Sequence, residues 1–270
     1  MDEALRPGRC GAGFSVTGLS RLDAEMSKFV EARATPGMVG LVYRRGEIAH
    51  TVTAGWQDIE AGVPMRRDTI FQIMSMTKPV TAAALLTLVD EERVGLYEPL
   101  DAFLPEFADR PVLRTPASAL DDTVSCDRPI TLADLLTYRS GIAGAPNPGP
   151  GIAVTPLEAA IGEANSRYHG DDEAWIAAVA ALPLECQPGT AWSYGTASEV
   201  LTLLAKRVSG MAYTDFLRQR ILDPLGMVDT GYFVPPDKRP RFASSYARDL
   251  ETGEIRPLTD PFFSQYHPPE

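Results

Sequence analysis

Apolar positions recur along the chain at two different spacings, and the switches between them mark out its elements. In SRLDAEMSKFVEARAT (20–35), Leu22, Met26, Phe29 and Val30 fall on one helical stripe. Ser20 is placed to cap that helix, and Pro36 and Gly37 end it. MVGLVYRRGEIAHTVTAGW (38–56) contains two β-rich runs around Arg45-Gly46-Glu47, which predict an antiparallel hairpin. From about Ser75 to Glu92 the stripe widens until the segment TAAALLTLV is apolar on nearly every face, the pattern of a central, buried helix. Residues 93–130 carry several prolines and read as loops with short helical pieces. ITLADLLTYRSG (130–141) predicts a short helix with Thr131 as cap and Gly141 as terminator. AGAPNPGPG (143–151) is incompatible with regular structure and marks a surface excursion. Further helices are expected over EAWIAAVAALPL (173–184), ASEVLTLLAKRVSG (197–210, closed by Gly210) and AYTDFLRQRILDPLG (212–226). Residues 228–270 are rich in proline and charge, with weak strand signals around 231–234 and 244–246. A hairpin alone is marginally stable, so the pattern supplies the start of a sheet and few of its later strands.

Composition narrows the class. The 270 residues are 44% hydrophobic and 23% charged, enough for one large unit or two interlocked lobes with a full core. No apolar run reaches the roughly 18 residues of a membrane span, and TAAALLTLVDEE (81–92) ends in acids. The first twenty residues begin acidic and lack a continuous apolar stretch, so no signal peptide and a cytoplasmic location are expected. Cys10, Cys126 and Cys186 are odd in number and widely spaced, which fits reduced thiols rather than a disulfide framework. A net charge of −11 argues against nucleic acid or an anionic membrane as a partner.

The sharpest local chemistry is in FQIMSMTKPVTAAALL, where Ser75 and Lys78 stand three apart at the mouth of the apolar helix. Side chains at i and i+3 share a helix face, so hydroxyl and amine can meet. Backbone N–H groups and the positive end of the dipole there favour a developing oxyanion. Desolvation against a buried helix is expected to lower the lysine pKa toward that of a useful base. The same residues also read as a helix cap and a solvated first-turn cation, although a lysine opening a helix without a polar face fits solvated surface poorly. Tyr194, in the turn of PGTAWSYGTASEVLTLLAKRVSG (188–210), can shuttle protons beside a lysine, or can be a half-buried aromatic with its hydroxyl on backbone. No G-x-S-x-G elbow, metal-ligand spacing or phosphate-binding glycine loop is present, and His50, His169 and His267 fall on the hairpin, in a loop and in a proline-rich end. No metal or organic cofactor is implied.

Four segments in order, FQIMSMTKPVTAAALLTLVDEERVGLYEPLDAFLPEF, ITLADLLTYRSGI, PGTAWSYGTASEVLTLLAKRVSG and FLRQRILDPLGMVDTGYFVPP, resemble the serine hydrolases related to class C β-lactamases. Family VIII carboxylesterases and D-stereospecific peptidases are among them. The resemblance implies an α/β (α+β) fold of the β-lactamase/transpeptidase kind. Residues 75–225 are expected to form a helical lobe, and 1–74 with 226–270 a partial antiparallel sheet lobe. It implies Ser75 as the acylated nucleophile, Lys78 as its partner and Tyr194 as general base with Lys78. Thr196 stands where β-lactamases carry a substrate-binding asparagine, which disfavours strong β-lactamase activity and suits the esterase branch. No K-T-G, H-x-G or W-G-G box follows Tyr194, so a chain shortened at its C-terminus, or a divergent one, is expected, with impaired activity. The implied substrate is a small ester or amide. The contrasting reading is a catalytically incomplete fragment or a non-catalytic penicillin-recognising module.

Overall fold

In the computed structural model, which describes residues 13–146 and 153–258, the first helix opens earlier than its apolar stripe. α1 (Val16–Glu31) is capped by Ser15, not Ser20; the Gly18 N–H donates to the Ser15 hydroxyl at 3.0 Å. Val16, Thr17 and Gly18 are weak helix formers, which is why propensity hid this first turn. The expected hairpin follows. β1 (Gly37–Arg44) pairs with β2 (Glu47–Asp58) from Gly37 opposite Gly55 to Arg44 opposite Glu47, with a bulge between Val42 and Tyr43. Arg45 (φ 55°) and Gly46 (φ 83°) form the two-residue turn, whose left-handed residues match the strand twist. β3 (Val63–Pro64) joins β2 to give the order β1-β2-β3. α1 rests on this sheet, and a Cβ at Gly40 would come within 2.7 Å of Met26 Cε. His50 of β2 is held by Asp23 of α1 at 2.5 Å.

The chain divides into two units, one of residues 74–230 and the other of 13–73 with 231–258. The unit 74–230 holds the main apolar core. A 3-10 turn (Met74–Met76) leads into α2 (Thr77–Asp90), whose Ala84, Leu85 and Leu88 are fully buried, in line with its lack of a polar face. Burying one such leucine contributes about 1.5–3 kcal/mol. β4 (Val112–Leu113) and β5 (Thr123–Val124) make a small ladder within the stretch read as loops; two residues per strand are too few to show a period. α3 (Leu132–Leu136) has the expected Thr131 cap, completed to a capping box by Asp134. It ends before Gly141, which instead serves a tight turn (φ 77°) where a Cβ would lie 2.2 Å from the Cys186 carbonyl oxygen. Part of the expected excursion, 147–152, lies outside the described residues.

α4 (Pro156–Arg167) carries a capping box of Thr155 and Glu158, and α5 (Asp172–Ala180) is capped by Asp171. α6 (Ala197–Ser209) ends at Gly210 (φ 73°), as its position predicts. Across 212–226 a single helix is replaced by α7 (Tyr213–Leu217) and a π-helical turn (Arg218–Leu222). α2 and α6 pack together, and Val200, Leu201, Leu204 of α6 and Phe216 of α7 belong to the same buried core as the α2 leucines.

The tail belongs to the unit of the N-terminal sheet. Ile70 N–H donates to Arg241 O at 2.7 Å, Ala243 N–H to Ile70 O at 2.9 Å, and Gln57 Nε2 to Pro240 O at 2.8 Å. β6 (Tyr246–Arg248) and β7 (Ile255–Pro257) then form a two-stranded ladder. The strand signal at 244–246 is thus partly realised, while 231–234 forms none. No helix among the described residues is long and apolar enough to cross a membrane. Cys126 and Cys186 are free thiols; Cys10 and His267 lie outside the described residues.

Candidate active site

Two bulky residues of the helical unit, Met74 (φ 46°) and Tyr138 (φ 57°), hold left-handed backbone. Such conformations cost about 1–3 kcal/mol and persist only where the surroundings impose them. Met74 turns the chain immediately before Ser75 and sets that residue at the entrance to α2. One helical turn on, Lys78 Nζ donates to Ser75 Oγ at 3.2 Å. Tyr194 Oη lies 2.8 Å from the same Oγ, and the lysine ammonium sits 4.9 Å from the centre of the tyrosine ring. Three of the four residues singled out by sequence therefore meet at one hydroxyl.

The fourth does not join them. Thr196 is buried, and its hydroxyl donates to the Ala143 carbonyl. This bond fixes the Tyr194 loop against residues 143–144, where backbone meets backbone. A Cβ on Gly195 would lie 2.4 Å from Gly144 N and 2.5 Å from Ala143 C. The Ser193 N–H donates to Tyr138 O at 2.9 Å, and Gly189 N–H to Arg139 O at 2.7 Å. Tyr194 is thus aimed by its neighbours' backbone.

Tyr138 stacks on Tyr194 with ring centres 5.3 Å apart and planes 15° from parallel, and its hydroxyl shares a 2.5 Å hydrogen bond with Ser198. Trp192 tilts against both rings at 6.4 and 6.0 Å. Sequence reasoning missed Tyr138, Trp192 and the nearby Glu199; LLTYRSG, containing Tyr138, was the only available signal.

Electrostatics divide the proton roles. The Lys78 hydrogen bond, then the Ser75 hydrogen bond, hold the Tyr194 phenol below the ordinary tyrosine range. Burial pulls Lys78 down, but hydrogen bonding and charge attraction from Tyr194 outweigh it, so the ammonium stands above its ordinary value. The expectation of a desolvated, less basic lysine is therefore corrected: the interacting partner wins over burial. Glu199, in the first turn of α6, has its carboxyl pushed up by burial and drawn back by the Lys78 charge. A phenolate flanked by an ammonium and touching a serine hydroxyl can take the serine proton and return it to a leaving group.

The sequence pattern of the beta-lactamase family matches residues 22–265. Protein Rv1367c of Mycobacterium tuberculosis is 38% identical over 229 residues, which cover 84% of this chain and 55% of that protein. Esterase EstB of Burkholderia gladioli is 33% identical over 227 residues, 84% of this chain and 54% of the esterase. The chain spans about half the length of these curated relatives. Among solved structures, EstCE1, described as a hydrolase with promiscuous acyltransferase activity, superposes with a TM-score of 0.70 at 24% identity. That match covers 90% of this chain and 59% of EstCE1, and shows a shared fold.

Proposed function

The chain belongs to the beta-lactamase family, and on that premise we propose that it is a serine hydrolase acting on small esters through an acyl-enzyme at Ser75. The observation that carries this is the meeting of Tyr194 Oη (2.8 Å) and Lys78 Nζ (3.2 Å) at Ser75 Oγ. Tyr194, its phenol made more acidic by the Lys78 ammonium, accepts the Ser75 proton in its phenolate form as Oγ bonds to the ester carbonyl carbon. The carbonyl electron pair moves onto oxygen, with the Ser75 N–H at the mouth of α2 as its donor. On collapse the ester C–O bond breaks, and the leaving alkoxide takes the proton from Tyr194. Water, or a second alcohol, then enters by the same route and releases the acyl group from Ser75.

Two facts support an ester over a β-lactam. EstB is named an esterase. Thr196, at the position where the resemblance expects an asparagine, has its hydroxyl committed to Ala143 O.

The test is turnover of p-nitrophenyl butyrate by the full chain beside Ser75→Ala. The proposal expects a stoichiometric burst of p-nitrophenol from the parent. In the variant, turnover should fall at least a hundredfold (about 3 kcal/mol of transition-state stabilisation) with an unchanged circular dichroism spectrum. Activity of the variant within threefold of the parent, or a parent without any burst, contradicts it.

A further inference from the structure

α3 ends in a manner that ordinarily calls for glycine. Arg139 N–H donates to Asp134 O at 2.8 Å and Tyr138 N–H to Leu135 O at 3.2 Å, the paired bonds of a Schellman cap. The residue at the left-handed position of that cap is Tyr138 (φ 57°), where glycine would avoid the crowding that a Cβ brings. Beyond α3, the hydrogen bonds and ring contacts of Tyr138 among the described residues all reach one segment, residues 192–198. Its carbonyl accepts the Ser193 N–H, its ring stacks on Tyr194 and tilts against Trp192, and its hydroxyl bonds to Ser198 Oγ. Ser198 lies in the first turn of α6, whose Val200, Leu201 and Leu204 are buried in the core. The Tyr138 ring is thus fixed at its backbone end by the cap of α3 and at its hydroxyl end by α6. The Tyr194 ring is 51% exposed, and this nearly parallel neighbour opposes its rotation away from Ser75.

We propose that Tyr138 is a positioning residue for Tyr194: its ring, tethered to α6 through Ser198, holds the Tyr194 hydroxyl on Ser75 and beside Lys78. The consequence for turnover rests on the acyl-enzyme reading of Ser75; the geometry does not. The groups acting on the Tyr194 phenol are Ser75 and the Lys78 ammonium at the mouth of α2, Tyr138 after α3, and the Glu199 carboxyl of α6. Lys78 lowers the Tyr194 value most, and the Glu199 charge opposes ionisation of both phenols. Burial pushes the Tyr138 phenol above its ordinary range, so it stays neutral while Tyr194 ionises. Without the stack, Tyr194 spends less time against Lys78 and keeps its proton to higher pH.

The experiment compares Tyr138→Leu, which keeps a Cβ at the left-handed position and removes the ring, with Tyr138→Phe and Ser198→Ala, which cut only the tether. Ionisation of Tyr194 is read without turnover, as the phenolate ultraviolet absorbance lost when Tyr194→Phe is added to each full-length protein. It should occur at higher pH in Tyr138→Leu than in the parent, and in Tyr138→Phe and Ser198→Ala it should move the same way by a smaller, equal amount. With p-nitrophenyl butyrate, Tyr138→Leu should lower kcat about tenfold or more, with KM within about twofold of the parent. Tyr138→Phe and Ser198→Ala should each lower kcat about threefold, and together no further, because both cut one bond. This pair decides the matter if Tyr138→Leu fails to fold. A parent without a Ser75-dependent burst defeats the acyl-enzyme reading alone, and the Tyr194 titration still decides the positioning. An unmoved Tyr194 titration, a loss confined to KM, Tyr138→Phe as impaired as Tyr138→Leu, or multiplying losses in the double variant overturns the proposal.

Discussion

Lys78 and Tyr194 shift each other in opposite senses, the phenol downward and the ammonium upward, so the ion pair phenolate–ammonium is favoured over the neutral pair. The productive form is then present between the lowered tyrosine value and the raised lysine value. kcat/KM should rise with pH as Tyr194 ionises, with its limb below the usual tyrosine value of about 10, and fall only when Lys78 loses its proton. Lys78→Met removes the ammonium and should move the rising limb to higher pH; a limb that stays in place contradicts the pairing. Tyr194→Phe and Lys78→Met should each be severe, and the double variant little worse than either, because both act on one proton. Independent, multiplying losses would show two separate roles. Ser75 and Lys78 could be read from sequence because their spacing brings them together within one helical turn. Tyr138 could not, since its stack on Tyr194 joins residues 56 positions apart and exists only once both loops are folded.

The loop that carries Tyr194 is set by close backbone contact, so its weakest point is Gly195. Gly195→Ala places a methyl carbon 2.4 Å from Gly144 N, and backbone there has no room to yield. Displacing Tyr194 by even 1 Å should lower kcat/KM about a hundredfold while thermal unfolding of the helical core changes little. An active Gly195→Ala protein would show that the loop has slack. At α3, Asp134 accepts from Thr131 N–H (2.9 Å) and from Arg128 (2.6 and 2.8 Å). Burial pushes its carboxyl up, but Arg128 and Thr131 together hold it below the ordinary range. Because the folded value lies below the unfolded one, this stability is present above about pH 4 and is lost as pH falls through the folded value. Asp134→Ala should cost about 1–2 kcal/mol near neutral pH by urea denaturation, and less in acid. An equal cost at both pH values argues against the charged cap. Strong elements of this kind were legible: α2 by its unbroken apolar run, α6 by its stripe and Gly210. α4 escaped because only Leu157, Ile161 and Ala164 are buried, too narrow a stripe, although Thr155, Pro156 and Glu158 spell its start.

Over the whole molecule, burial is uneven. The helical unit has a continuous apolar core, whereas Ala49 and Met65 are the buried apolar side chains of the described sheet unit. Leu85→Ala should therefore cost about 2–5 kcal/mol. Amide exchange should be slower in α2 and α6 than in α1 and β1, and equal protection would contradict this division of stability. The sheet unit was the harder half to read, because Ile70 meets residues 241 and 243 through backbone bonds and the Gln57 side chain reaches Pro240 O, long-range contacts that leave no periodic mark. The proposed chemistry turns on one oxygen atom, Ser75 Oγ. The full chain should be treated with a fluorophosphonate probe and its modified peptide identified by mass spectrometry. A single phosphonylated site at Ser75, absent from Ser75→Ala and formed at least a hundredfold more slowly in Tyr194→Phe, is the predicted result. An unmodified folded chain, or labelling elsewhere with Ser75 intact, would contradict it.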